Sequence, residues 1–266
     1  MDKSMAQQII KAVASAQKGN FRRYSFRVCD PNVRATNALG LSADYIPITG
    51  TVLAIYPEDD TLVIREGRKA IFSAFSIQNL SQVPEIGDTV TITPYERRRF
   101  NGTKLSDPES VEYRDGMVIK HHVLGESISK IPGVPENASI YLQQMVDQIE
   151  KIPADRRRTI AQVLIDSGAY KAPVLFKDID NNNHLLPKIT FAVEVSGVPG
   201  TLSVILDRAA DTYVIELCLE GQEPDVYEDV YFNTLADVIN DLIVKDNSWL
   251  QDQVTIVKKG SKRKAG

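Results

Sequence analysis

The stretch from Ile46 to Tyr95 consists of short runs of β-branched and aromatic residues separated by turn residues. Pro57-Glu-Asp-Asp60 and Pro84-Glu-Ile-Gly87-Asp88 have the residue types that favour tight turns. Four to five short strands joined by such turns over about 50 residues predict a small β meander or barrel. We therefore expect a β-rich domain over residues 21–130, preceded by an N-terminal helix within residues 1–20.

The second half of the chain carries signals for both helices and strands. Prolines and a glycine between Ile131 and Asn137 resist helix and sheet alike, so we place a domain boundary there. Two helical runs follow, then three strand-like runs with hairpin connections, a last helical run after Asn233, and a possible edge strand at 254–259. This pattern predicts an α+β domain with an antiparallel sheet and flanking helices over residues 131–257.

Composition narrows the class of protein. With 43% hydrophobic and 25% charged residues in a chain of 266, the values are those of a folded protein and exclude fibrous or disordered classes. No apolar run approaches the ~18 residues of a membrane span, and the opening residues lack the apolar core of a secretory signal. We therefore expect a cytoplasmic protein without a membrane partner, and Cys29 and Cys218 as buried free thiols.

Positive charge is concentrated at the end of this sequence. The basic residues among positions 258–266, where no acid occurs, are Lys258, Lys259, Lys262, Arg263 and Lys264. Glycines and small residues leave this segment little to pack with, so we expect a disordered basic tail that contacts phosphates non-specifically. The alternative is a solubilising segment that folds back on the acidic remainder of the chain.

A second basic segment lies inside the chain, from Arg97 to Lys104. Guanidinium groups donate in forks to phosphates or carboxylates, and Tyr95 and Phe100 are placed to stack on bases or on protein. The leading candidates for contact with a partner are Arg97, Arg98, Arg99 and Lys104. The alternative is a solvated loop whose cations pair with the neighbouring acids Asp107, Glu109 and Glu112.

The sequence lacks the short motifs of catalysis and metal binding. It has no CxxC or HExxH pair, no phosphate-binding glycine loop and no GxSxG elbow. The acidic run from Asp178 to His184 lacks the glycine and the glutamate that a calcium loop needs. We therefore assign no catalytic residue, metal or cofactor. The alternative is a metal-dependent phosphodiesterase or nuclease with dispersed carboxylates such as Asp178, Glu194 and Asp207.

The order of strands and turns also resembles a known family. Ile48-Thr-Gly50-Thr-Val-Leu-Ala-Ile55 precedes Leu62-Val63-Ile64 and Gly67-Arg68, and Val83-Pro84-Glu-Ile-Gly87 then leads into a strand that ends near Tyr95. Over residues 47–96 this arrangement resembles the KfrB-type domain of plasmid-borne proteins. The resemblance implies a small β module, a bacterial plasmid or conjugative-element context, and an activity of binding rather than catalysis.

These features favour a non-enzymatic binding protein of a plasmid or conjugative element. We expect it to act on a host or plasmid protein, or on DNA, through the basic loop and the basic tail. Besides the phosphodiesterase, a structural or oligomerising protein whose strand faces form interfaces stays open as an alternative. The sequence leaves the identity of the partner and the oligomeric state open.

Overall fold

A computed structural model of the chain describes residues 2–17, 23–30, 35–36, 42–43, 46–67, 69–122, 128–155, 157–180, 185–245 and 250–260. The chain divides into two compact units, one of Met1–Glu96 with Asn247–Gly266 and the other of Arg97–Asp246. Within the described residues, four α-helices combine with several largely antiparallel sheets. The predicted α+β class is therefore confirmed. None of these helices has the length and apolar character needed to cross a membrane.

The helices and strands have the following bounds. Those of the first unit are α1 (Lys3–Ala16), β1 (Ser25–Cys29), β2 (Ala35–Thr36), β3 (Ser42–Ala43), β4 (Ile48–Tyr56), β5 (Thr61–Arg65), β6 (Ile71–Phe75), β7 (Thr89–Thr93) and β15 (Gln253–Lys258). Those of the second unit are β8 (Ser110–Arg114), β9 (Met117–His121), α2 (Ile140–Lys151), α3 (Ile160–Asp166), β10 (Leu175–Lys177), β11 (Lys188–Val195), β12 (Val198–Asp207), β13 (Thr212–Leu219), β14 (Asp225–Val230) and α4 (Leu235–Ile243).

The first unit is built on a six-stranded sheet in the order β1-β6-β5-β4-β7-β15. Strand β5 contains three consecutive apolar residues, Leu62, Val63 and Ile64, because both faces of the sheet are covered. Val63 packs with the apolar stripe of α1, whereas Leu62 and Ile64 belong to the core on the opposite face. In the neighbouring strand Gly50 is required, because a Cβ there would lie 2.6 Å from the carbonyl oxygen of Arg65.

This sheet differs from the predicted domain in two respects. Its strand order ends at β1 and β15, and no closed barrel is detected among the described residues, so the predicted barrel is not confirmed. The strand expected at 254–259 is found at Gln253–Lys258 and is an edge strand, but it pairs with β7 of this first sheet. Periodicity indicates that a segment is extended but not which strand it joins, and the partner here is far away in sequence.

The second unit contains a five-stranded antiparallel sheet in the order β10-β11-β12-β13-β14. Helices α2, α3 and α4 contribute Leu142, Leu164 and Ile239 to one apolar core with Phe191 and Ile215 of the sheet. The three predicted strands correspond to β11, β12 and β13. Strands β10 and β14 are additions that the sequence did not predict, since β10 is three residues long and β14 is dominated by acids.

The division between the units falls at Glu96 and Arg97 rather than near residue 131. The segment that follows Arg97 is tied to the second unit by side chains spread along it. The ring centroid of Phe100 lies 6.3 Å from that of Phe191, and the Ser129 hydroxyl donates to the Arg98 carbonyl at 2.7 Å. Prolines near residue 131 thus mark an irregular segment inside a unit and not a boundary between units.

Candidate functional site

The predicted basic loop forms a short hairpin. Arg98 and Lys104 bridge across it, and the Arg99 N–H donates to the Thr103 carbonyl at 2.8 Å. Gly102 closes the turn with φ of 81°, and a Cβ at this position would lie 2.9 Å from the Tyr170 ring. The backbone of the hairpin is therefore fixed, and the direction of each cation depends on its place along it.

Two of the four predicted contact residues serve the fold. Arg97 is only 2% exposed, so its side chain is buried. The Arg99 guanidinium group donates to three backbone carbonyls, those of Lys104 at 2.8 Å, Leu105 at 3.3 Å and Asp107 at 3.3 Å. Forked donors that are satisfied by the protein's own carbonyls are not available to a phosphate.

The other two cations of the hairpin differ in exposure. Arg98 is exposed, and Lys104 is half-buried. The backbone N–H of Lys104 donates to the Asp107 carboxylate at 3.0 Å, so this neighbouring acid also has a role within the hairpin. Phe100, which was expected to stack on a partner, is 8% exposed and belongs to the core. The basic loop therefore presents a single prominent cation, Arg98, and not a cluster.

The described basic residues of the C-terminal segment, Lys258 and Lys259, lie in the first unit. Lys258 ends β15, and both Lys258 and Lys259 are exposed. The Gly260 N–H donates to the Asp88 carboxylate at 2.7 Å, and this bond, with one from the Glu85 N–H, lowers the pKa of Asp88. The segment is thus held to the sheet through Gly260. The predicted contact residues Lys262, Arg263 and Lys264 lie outside the described residues.

The dispersed carboxylates of the enzymatic alternative are separate structural groups. Glu194 pairs with Lys171 at 2.8 Å, and the Asp207 carboxylate accepts the Ala209 N–H at 2.8 Å in the turn after β12. Asp178 accepts both the N–H and the hydroxyl of Ser139, the residue that caps α2. No group of three or more His, Cys, Asp or Glu that could hold a metal ion occurs among the described residues.

The electrostatics of Asp178 reflect this capping role. Burial alone would raise the pKa of the carboxyl group. Hydrogen bonds from the Ser139 hydroxyl, the Ser139 N–H and the Ile179 N–H outweigh burial and lower the pKa below its usual value. A carboxylate held in this way supports the start of α2, so it is engaged in the fold and not poised for acid–base chemistry.

The two cysteines are free but differ in environment. Cys29 is buried in the first unit, and burial raises the pKa of its thiol to about 12, which makes it unreactive at neutral pH. Cys218 is exposed, contrary to the expectation that both thiols are buried, because the outer face of β13 at this position is open to solvent.

An open cavity of about 450 Å³ lies beside α2. Its lining mixes apolar groups such as Ile131 and Val134 with the amides of Gln143 and Gln144. Glu150, at its base, pairs with Lys130 at 2.6 Å and accepts the Ile131 N–H at 2.9 Å. The second acid of the lining, Asp147, pairs with Lys151 at 2.7 Å. Both acids of the cavity are therefore already engaged, and we assign no chemistry to it.

The outer strand of the second sheet, β14, has a different character. Five of its six residues are exposed, namely Asp225, Val226, Tyr227, Glu228 and Asp229. As the terminal strand of the sheet order, it carries N–H and C=O groups along its outer edge that β13 does not pair. Tyr231 and Phe232 directly after it are 59% and 63% exposed. We call residues 223–232 the acidic edge.

A bulge shapes the acidic edge. Tyr213 pairs with Val230 and Ile215 with Tyr227, so β14 contains one residue more than β13 over this interval. Asp229 takes the left-handed conformation with φ of 55°, which an aspartate tolerates better than most residues. The bulge turns Val230 into the core and leaves Tyr227 exposed, so the aromatic groups and carboxylates face solvent together.

The acidic edge was missed in the sequence analysis, although the sequence contains a signal for it. Between Arg208 and Lys245 there is no Lys, Arg or His. The acids of this stretch are Asp211, Glu216, Glu220, Glu223, Asp225, Glu228, Asp229, Asp237 and Asp241. The signal is this exclusion of cations, which leaves the acids of the stretch with no opposite charge nearby in sequence.

Comparison with known proteins gives no further guidance. No protein-family model, no curated protein and no solved structure matches the chain.

Proposed function

We propose that this chain is a non-enzymatic protein-binding protein and that the acidic edge receives an extended, basic segment of a partner. The observation that carries the proposal is the exposed terminal strand β14, in which three carboxylates lie among apolar and aromatic side chains and no cation is near in sequence. Such a strand can bind by adding the partner's strand to the sheet. Main-chain hydrogen bonds would supply affinity, and the alternating side chains would supply specificity.

The charge of the site selects the class of partner. Carboxylates repel the phosphates of DNA, so the acidic edge is suited to a Lys- or Arg-rich protein segment. Opposite charges across an interface accelerate the encounter and suppress wrong partners. The exposed rings of Tyr227, Tyr231 and Phe232 add apolar area of the type that is enriched at protein interfaces.

The wider biological setting of the proposal comes from the sequence. The resemblance of residues 47–96 to the KfrB-type domain supports a role in a bacterial plasmid or conjugative element. On this proposal the partner is a host or plasmid protein. The segment that carries the resemblance lies in the first unit, whereas the acidic edge lies in the second unit.

Peptide binding to the full chain tests the proposed function. The probe is a ten-residue peptide of alternating Lys and Val, and its matched control is the same peptide with Glu in place of Lys. We expect the Lys peptide to bind, the Glu peptide not to bind, and affinity to fall as salt is added. The double variant Asp225→Asn/Glu228→Gln should bind the Lys peptide roughly three- to tenfold more weakly, since each exposed charge pair contributes up to about 1 kcal/mol.

A control variant separates local from global charge. Asp237→Asn/Asp241→Asn removes the same charge from exposed positions of α4. It should bind the Lys peptide like the unchanged protein. Equal weakening in both double variants would show a non-specific effect of net charge, and no binding of the Lys peptide would contradict the proposal.

DNA binding is a second candidate function, because Arg98, Lys258 and Lys259 are exposed. The first of these lies in the second unit and the other two lie in the first unit. Each phosphate that is neutralised contributes about −0.9 to the slope of log affinity against log salt. Binding of a mixed-sequence duplex with a slope that falls in Arg98→Ala and in Lys258→Ala/Lys259→Ala would support this candidate.

A further inference from the structure

The hairpin of β8 and β9 is exposed on both of its faces. Tyr113 is 82% exposed and Met117 is 61% exposed, and Val111 and Val118 are also exposed apolar residues. The two strands form a sheet of their own in the described part of the chain. An isolated two-stranded hairpin is marginally stable in water, whereas three or more strands with an apolar face are stable.

The turn of this hairpin determines which backbone groups face outward. Asp115 and Gly116 have φ of 51° and 76°, the conformation of a tight two-residue turn. Arg114 and Met117 flank the turn as the first pair of the ladder, and Glu112 pairs with Ile119. In an antiparallel ladder, the N–H and C=O groups of successive residues point alternately toward the paired strand and away from it. The N–H and C=O groups of Arg114 and Glu112 therefore point toward β9. Tyr113 therefore points its N–H and C=O away from β9, toward an edge with which no other described strand pairs.

We propose that β8 pairs antiparallel with β8 of a second copy of this chain, with Tyr113 on the two-fold axis. Charge favours this register over one centred on Glu112. Antiparallel pairing centred on Tyr113 places Glu112 opposite Arg114 of the other copy, and two-fold symmetry forms this pair twice. Centring the pairing on Glu112 would instead oppose two carboxylates, which is destabilising.

The outward backbone groups fit the same register. Tyr113 pairs with its own symmetry mate, so the two residues exchange hydrogen bonds across the axis. Their rings then lie side by side on one face, where an aromatic cross-strand pair is favourable. Two marginal hairpins become one four-stranded sheet. This surface belongs to β8 and is independent of the acidic edge, which lies on β14.

A charge-swap series on the full chain tests the proposal by measuring molar mass against concentration in analytical ultracentrifugation. The unchanged protein should form a dimer. Arg114→Glu and Glu112→Arg should each weaken dimerisation about tenfold or more. Each change places like charges at positions 112 and 114 of opposite copies, and two-fold symmetry repeats this unfavourable pair. The double variant Glu112→Arg/Arg114→Glu restores opposite charges and should restore the dimer.

Three results would overturn the proposal: a monomer at every concentration, a dimer unaffected by the single changes, or a dimer that the double variant fails to restore. Amide exchange supplies a second readout that does not depend on any variant. Protection of the Tyr113 N–H should increase with protein concentration, because this donor points away from β9 and gains an acceptor in the proposed dimer. Protection that is independent of concentration would contradict the register.

Discussion

The hairpin of residues 97–104 and the acidic edge are both strongly charged in sequence, but they use their charge differently. In the hairpin, Arg97 is buried and Arg99 donates to three backbone carbonyls. In the acidic edge, Asp225, Glu228 and Asp229 are exposed on a terminal strand. A charged cluster thus indicates a contact surface only when the local backbone directs the side chains outward.

The difference has a physical origin in the donors and acceptors available. An arginine carries five N–H donors, and irregular backbone nearby offers carbonyls that lack partners. Arginines next to a tight hairpin therefore readily donate hydrogen bonds to the backbone of the same chain. A carboxylate on an exposed edge strand is instead well solvated by water, so it stays available for a basic partner.

The largest expected effect concerns Arg97. Arg97→Ala should lower the free energy of unfolding by at least about 2 kcal/mol, because it removes a buried side chain together with its packing and polar contacts. Arg98→Ala, the matched exposed change, should stay within about 0.5 kcal/mol. Urea unfolding of both variants checks the contrast. Equal stability of the two would show that the hairpin does not depend on its buried arginine.

Arg99→Lys sharpens the same point by keeping the positive charge. An ammonium group cannot reproduce a planar fork that reaches three carbonyls, so we expect a loss of about 1–2 kcal/mol in the free energy of unfolding. The measurement is again urea unfolding, with Arg98→Lys as the control. If Arg99→Lys leaves the free energy of unfolding unchanged, the positive charge, and not the planar guanidinium fork, stabilises the hairpin.

A parallel contrast exists among the carboxylates. Asp178→Asn should destabilise the chain by about 1 kcal/mol near neutral pH, since its carboxylate binds the cap of α2. Because the native pKa of Asp178 is lowered from 3.8, its stabilisation is complete above that value and is lost as pH falls through the native pKa. The difference between wild type and variant should therefore shrink as the pH is lowered below 3.8.

Asp225→Asn is the control for this carboxylate comparison. Asp225 is exposed on β14, and its replacement should leave the free energy of unfolding within about 0.5 kcal/mol at any pH. Unfolding curves of the two variants at neutral and acidic pH complete the test. A pH-independent loss in Asp178→Asn would contradict a role for the ionised carboxylate.

The smallest expected effect concerns DNA. Lys258→Ala/Lys259→Ala should reduce the magnitude of the log–log salt slope by up to about 1.8, and Arg98→Ala by up to about 0.9. A folded Arg99→Lys variant should leave the slope unchanged, because Arg99 is engaged with backbone carbonyls. If the slope changes in Arg99→Lys but not in Arg98→Ala, then Arg99, and not Arg98, is the cation that contacts DNA.

Much of the architecture could be predicted from the sequence. The turns at Pro57 and Pro84, and the β-branched runs between them, predicted strands because local patterns specify local structure. The place of β15 in the first sheet could not be predicted, since β15 pairs with β7 and the residues of the second unit separate these two strands in sequence. β14 was missed because acids are poor strand formers and only its pairing with β13 makes it extended.

The candidate site was predicted less well than the fold. The four cations of the hairpin were identified as a group, but which of them is buried depends on tertiary contacts that composition does not encode. The same holds for Asp178, whose partner Ser139 lies on another element of the second unit. A sequence shows which residues are charged, but it does not show whether their side chains face solvent or the core.

Amide hydrogen exchange of the full chain with the alternating Lys–Val peptide tests the central claim most directly. If the acidic edge receives a basic strand, amides of Asp225–Val230 should become protected when the peptide is added, and the Asp225→Asn/Glu228→Gln variant should show less protection at the same peptide concentration. Protection confined to other elements, or peptide binding with no change in β14, would contradict the account.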